Sequence, residues 1–264
     1  MNTQRQSNTP DIYSVLSRTQ RLRVSDGEIK PILDGCSNSS PLLVLIWSQL
    51  GDFDNLEYAW WLQREREKLS SKEITVRAIG IGNRNSGVKF CEYTGFPQEW
   101  LFVDTNAEIH ALLGLYHGLS IQFPLLSTSQ KAWLNLMLMC AGIGSPGTLK
   151  EVFRGYKGDR QAPQLIADEE IVSGIPIPAL KGSFFSNVIG KGYQRPFELA
   201  TLRLRNMTEV LSNWSTYVPD SSYLTQRGAT FLFDSQRKLI YEHSDRGILG
   251  FAENMSNPLS FISG

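Results

Sequence analysis

Three cysteines among 264 residues, Cys36, Cys91 and Cys140, are too few and too scattered for a disulfide scaffold. No Cys-x-x-Cys pair occurs, which excludes a zinc ribbon and a dithiol redox motif. Excess charge is absent too. Lys and Arg number 26 and Asp and Glu number 26, so nothing in the net charge draws the chain to nucleic acid or anionic lipid as a whole. Residues 1–10 contain no apolar core, so no secretory signal is expected. The most apolar stretch, 132–143, would span only about 18 Å as a helix against a hydrocarbon core of about 30 Å. It reads as a buried core helix. There is no G-x-S-x-G elbow. Gly80-Ile81-Gly82 begins like a dinucleotide fingerprint, but Asn85 stands where the third glycine would fall. The composition therefore points to a reduced, intracellular protein with one core and one large elaboration.

A mixed pattern of strands and helices is present. Residues 18–34 read as a hairpin turning at Asp26-Gly27, with Pro31 placing its second arm at a sheet edge. Leu42–Trp47 is a continuous apolar run, as expected of a strand covered on both faces. A helix follows, with Asp54 and Glu57 spaced like a capping box, and then an alternating strand over 74–81. Next come a helix over 86–94 closed by Gly95, a strand at 101–103, and a helix capped by Asn106. At the far end, 229–233 and 238–242 form a hairpin, and 249–255 reads as a short final helix. The 116–226 segment between these parts carries two strong helix patterns, 130–143 and 196–214, and is read as a helical insertion packed on the core of 18–115 and 227–264. Residues 1–17 are read as an N-terminal extension.

This order of elements resembles a thioredoxin-like α/β fold, a three-layer α/β/α core of the peroxiredoxin kind with a large, mainly helical insertion. The stretch after the apolar strand is similar to the peroxiredoxin-like branch of the alkyl hydroperoxide reductase/thiol-specific antioxidant (AhpC/TSA) family. That branch carries Gly-Cys-x-x-Cys-Arg-Glu-x-Ala at its helix start. Gly51, Glu57 and Ala59 fall on the pattern, and Gly228–Phe233 with Leu239–His243 resemble its closing hairpin. Asp52 and Asn55 stand where the two cysteines would be. The stretches APQ, RPFELAT and LSNWSTYVP resemble a subgroup from cyanobacteria and chloroplasts. A carboxylate suits the positive end of a helix but cannot be oxidised to a sulfenic acid. The resemblance therefore implies a degenerate site at Asp52, Asn55 and Glu57, and a noncatalytic binding, assembly or regulatory protein. It implies a protein partner, which could be a photosystem or pigment-biosynthesis protein. The location would be cytoplasmic or stromal, with peripheral thylakoid contact open.

Other candidates compete. Cys36, in a polar loop, reads as the most exposed thiol; Cys91 reads as a small buried hydrophobe, and Cys140 as buried and inert. Cys36 or Cys91 would serve a divergent thiol oxidoreductase. A pigment or lipid carrier is the third reading. His110 reads as a helix-surface residue. Arg154, Lys157 and Arg160 lie in a basic, glycine-rich stretch that reads either as an anion- or partner-binding loop or as a solvated connector. No cofactor, metal or nucleic acid is expected.

Overall fold

No residue of the strand Leu42–Gln49 is exposed, and the fold is built around it. The computed structural model describes residues 11–157, 164–174, 177–189 and 195–263. In chain order α1 (Ile12–Arg18), β1 (Gln20–Arg23) and β2 (Ile29–Pro31) precede that strand, β3. Then come α2 (Phe53–Arg64), α3 (Arg66–Ser71), β4 (Thr75–Ile81), α4 (Arg84–Thr94), β5 (Leu101–Asp104) and α5 (Glu108–Leu112). The segment leading to Arg227 contains α6 (Thr128–Cys140), α7 (Thr148–Lys157), β6 (Ile171–Gly174), β7 (Ile177–Lys181), α8 (Gly182–Ile189), α9 (Arg195–Ser212) and α10 (Trp214–Tyr217). The strands β8 (Ala229–Phe233) and β9 (Leu239–Ser244) complete the core.

One seven-stranded mixed sheet runs in the order β2-β1-β5-β4-β3-β8-β9. Strands β3, β4 and β5 are parallel, and β8 pairs antiparallel with β3. The edge strand β2 carries Pro31, where the missing N–H costs no ladder bond. Side chains alternate along β3. Leu43, Leu45 and Trp47 enter one apolar cluster with Leu56 and Trp61 of α2 and Phe90 and Cys91 of α4. Leu42, Val44 and Ile46 enter another with Leu16 of α1 and Ile109 of α5. A strand covered by helices on both faces needs apolar side chains on both, which explains the unbroken run Leu42–Trp47. These are the three layers of the α/β/α core. The 116–226 segment lies on the α2/α4 side: Leu199, Val210 and Tyr217 share the first cluster, and α9 packs on α2.

Several local expectations change. The polar stretch before the hairpin includes α1, held by the burial of Leu16. Asn106 caps no helix. Ala107, with φ 53°, precedes α5, and Asp104 accepts the Ile109 N–H at 2.9 Å instead. The segment 249–255 is not helical. Leu249 has φ 56°, its N–H goes to the Asp54 carboxylate, and a short 3-10 turn forms only at Ser260–Ser263. The segment before Arg227 also holds the antiparallel pair β6–β7, which sequence periodicity does not reveal. The largest correction concerns α6. Only Asn135 and Met139 of this apolar helix are fully buried; Ala132 and Leu136 pack half-buried against the core, and Leu134 and Met137 face outward. Cys140, on the same helix, is exposed, whereas Cys36 is half-buried. As expected, α4 ends at Gly95, whose φ of 73° suits a residue without a Cβ.

Candidate functional site

The start of α2 is positioned by the end of β3. Asp52 is the N-cap: its Oδ1 accepts the Asp54 N–H at 3.0 Å, and its Oδ2 accepts the Ser48 hydroxyl at 2.8 Å. Asn55 donates through Nδ2 to Ser48 Oγ at 3.0 Å and to the Gln49 carbonyl at 2.8 Å. Ser48 thus brings Asp52 and Asn55 together. Gly51 must be small here, since a Cβ would lie 2.9 Å from Val218 Cγ2 and 3.0 Å from the Tyr217 Cβ.

The principal residue missed by sequence reasoning is Arg227. It enters just before β8 and is completely buried. One guanidinium nitrogen donates to Asp52 Oδ2, and the other lies 3.8 Å from Asp54 and 3.9 Å from Asp245. Three carboxylates therefore converge on one guanidinium in the interior. Asp54 also accepts the Leu249 N–H at 2.7 Å, and Asp245 accepts the Gly247 N–H at 2.9 Å. Burial works against the Arg227 charge, but Asp52, Asp245 and Asp54 more than offset it, and the group is more basic than an ordinary arginine. The acids bear the cost. Burial pushes the Asp245 carboxyl up to about 7 despite Arg227, and burial with Asp52 and Asp245 nearby pushes Asp54 well above the carboxylate range. The cluster ties four chain segments to one point: the start of α2, the entry to β8, the end of β9 and the 247–249 loop.

Glu57 does not belong to it. Its side chain is buried and accepts from Arg203 of α9, Nε at 2.9 Å and Nη2 at 3.4 Å. The expected capping box is thus absent: Asp52 is the cap, and Glu57 ties the 116–226 segment to the core. Cys36 packs against the cluster on one side of the sheet and Cys91 in the cluster on the other, so the sheet separates these thiols. Burial raises both, Cys91 to about 12 with Glu99 and Glu92 adding to the effect. The Cys140 thiol lies within the field of the cluster. Partial burial raises it, Asp52 and Asp54 add to this, and Arg227 opposes them.

His110 is not on the surface. It is fully buried, its Nε2 is 3.0 Å from the Trp47 carbonyl, and burial lowers its pKa to about 4. Arg154 and Lys157 lie on α7 rather than in a loop. Arg154 binds Glu151 at 2.8 Å and the Ser256 hydroxyl, while Lys157 is exposed; Arg160 lies outside the described residues. Between α7 and α9 runs an open apolar groove of about 370 Å³, lined by Phe53, Val152, Leu199, Leu204 and Met207 among others. Among the described residues, no group of three or more His, Cys, Asp or Glu side chains is arranged to hold a metal.

A family model described as AhpC/TSA antioxidant enzyme matches residues 61–168 and 179–247. The two ranges take in β4 through α5, much of the segment between Tyr116 and Arg227, Arg227 itself and the β8–β9 hairpin. They begin after Asp52 and Asn55. No curated protein matches the chain.

Proposed function

Because the chain belongs to the AhpC/TSA antioxidant enzyme family, we propose that it is a member in which Asp52 occupies the place of the reactive thiol, and that it acts by binding a protein partner rather than by thiol chemistry. The observation carrying this reading is the Arg227–Asp52 pair at the start of α2. A peroxidatic thiolate needs a helix N-terminus and a nearby cation. Here both are satisfied by a carboxylate of the chain itself, and a carboxylate does not accept oxygen from a peroxide to form a sulfenic acid. The thiols Cys36 and Cys91 do not take over the role. Both are held protonated by burial, on opposite sides of the sheet.

Peroxide consumption by the purified protein with a thioredoxin-type reductant tests the proposal. The expected result is no turnover above buffer. Turnover at an ordinary enzymatic rate would overturn it, and loss of that rate in the Cys36→Ser/Cys91→Ser protein would favour the oxidoreductase instead. Asp52→Cys provides the converse test. A thiol at this cap, beside Arg227, is expected to become a thiolate at neutral pH and to react with peroxide.

No cofactor or nucleic acid enters this reading. The likeness to the subgroup from oxygenic phototrophs directs the partner search to photosystem and pigment-biosynthesis proteins, in a stromal or cytoplasmic setting. A second reading, a pigment or lipid carrier, is favoured by the apolar groove beside Phe53 and Met207. Mass spectrometry of natively purified protein decides it: a stoichiometric apolar molecule supports the carrier, and an empty protein excludes it.

A further inference from the structure

The outward side of α6 and its flanking segments is rich in exposed apolar side chains. Eight of the fifteen large exposed hydrophobic side chains among the described residues fall within 121–153. On α6, Leu134 and Met137 are outward at helical spacing, Trp133 is part-exposed with its ring stacked on Trp214, and Asn135 and Met139 face the protein. On α7, Leu149 and Phe153 sit one turn apart and are also outward. Leu149 of α7 packs on the turn that leaves α6, 3.1 Å from where Gly142 would carry a Cβ.

Two further observations say what covers this side. The first is charge. Residues 117–157 contain Lys131, Lys150, Arg154 and Lys157 but a single acid, Glu151, in a chain whose charges balance only as a whole. Glu151 is bound to Arg154. The second is backbone strain. Leu125, in the loop before α6, is fully exposed and has φ 69°, a left-handed conformation unfavourable for leucine. The fold holds an apolar side chain out in water at a conformational cost. An apolar stripe edged by lysines, nearly free of acids and preceded by a projecting leucine, has the chemistry of a surface that lies in a lipid headgroup layer. It lies there rather than crossing, because no helix among the described residues is long and apolar enough to span a bilayer.

We infer that the α6–α7 face docks on anionic membrane surfaces, with Leu125 and Met137 entering the acyl boundary and Lys150 and Lys157 meeting anionic headgroups. This inference is independent of the site at Asp52.

Flotation of the full chain with vesicles tests it, comparing phosphatidylcholine alone with a mixture of about three parts to one of phosphatidylserine. The expected result is binding to the mixed vesicles that falls as salt is raised to about 0.5 M. Lys150→Gln/Lys157→Gln should weaken it by tenfold or more, at about fivefold for each cation. Leu125→Asp/Met137→Asp should abolish it, with unchanged circular dichroism in both variants. Failure to float, or equal binding to neutral vesicles unaffected by the lysine changes, would overturn the inference. So would a concentration-dependent dimer lost in Leu125→Asp/Met137→Asp, which would mean that a second copy covers the face.

Discussion

Replacing Arg203 by Met tests what fastens α9 to the core. Glu57 is 1% exposed, and Arg203 is its side-chain partner, with Nε at 2.9 Å. At an effective dielectric of about 20 that contact is worth about 6 kcal/mol of gross attraction, most of it offset by desolvation in the intact protein. Losing the arginine removes the attraction and leaves the carboxylate in the interior. The expected loss is about 3 kcal/mol, at the low end for a broken buried pair because Arg203 is partly exposed. Glu57→Leu alone should cost only about 1 kcal/mol, since the freed guanidinium can turn to solvent. Glu57→Leu/Arg203→Met should recover most of the stability, because neither charge is then buried. Urea denaturation followed by tryptophan fluorescence measures the cycle, with Trp60 and Trp61 on α2 beside the contact. If Arg203→Met costs under about 0.5 kcal/mol, or the single losses add without coupling, the pair does not fasten the helix. Apolar contacts such as those of Leu199 and Val210 would then do so alone.

Further measurements follow from the same interior. Native His110 is neutral down to about pH 4, whereas an unfolded histidine takes a proton near 6.5. Its contribution is therefore present above pH 6.5 and lost as pH falls toward 4, by about 3 kcal/mol in all. Asp245 works in the opposite sense, its contribution being lost as pH rises from the ordinary carboxylate range to about 7. The difference between wild type and His110→Phe isolates the histidine. The variant's deficit should shrink by about 3 kcal/mol between pH 6.5 and 4 in urea titrations, and parallel pH profiles would refute the assignment. A thiol reagent on the native protein should modify Cys140 first, Cys36 slowly and Cys91 only on unfolding, as peptide mass mapping over time would show.

Local pattern was enough to place β3, which reads as a covered strand because the first six of its eight residues are apolar and leave no polar face to turn outward. It also placed β4, the β8–β9 hairpin and the end of α4 at Gly95. Apolar content could not say which way α6 faces. A helix with apolar residues on most of its surface gives no orientation, and burial of only a narrow stripe around Asn135 and Met139 follows from neighbours distant in the chain. The same limit applies to His110, whose sequence neighbours do not show that it lies beneath the Trp47 carbonyl.

By itself the sequence determined the α/β layering, the absence of cysteine at 52 and 55, and a carboxylate at the helix start. These depend on residue type and on periods of two to four residues, which the chain carries locally. Tertiary structure alone decided what that carboxylate does. Asp52 meets Arg227 across a separation of 175 residues, and Asp54 and Asp245 close around the same guanidinium. No local signal marks such a meeting, because it is created when the chain returns from the 116–226 segment to set β8 beside β3. Burial then supplies the low dielectric that makes one arginine the centre of the site.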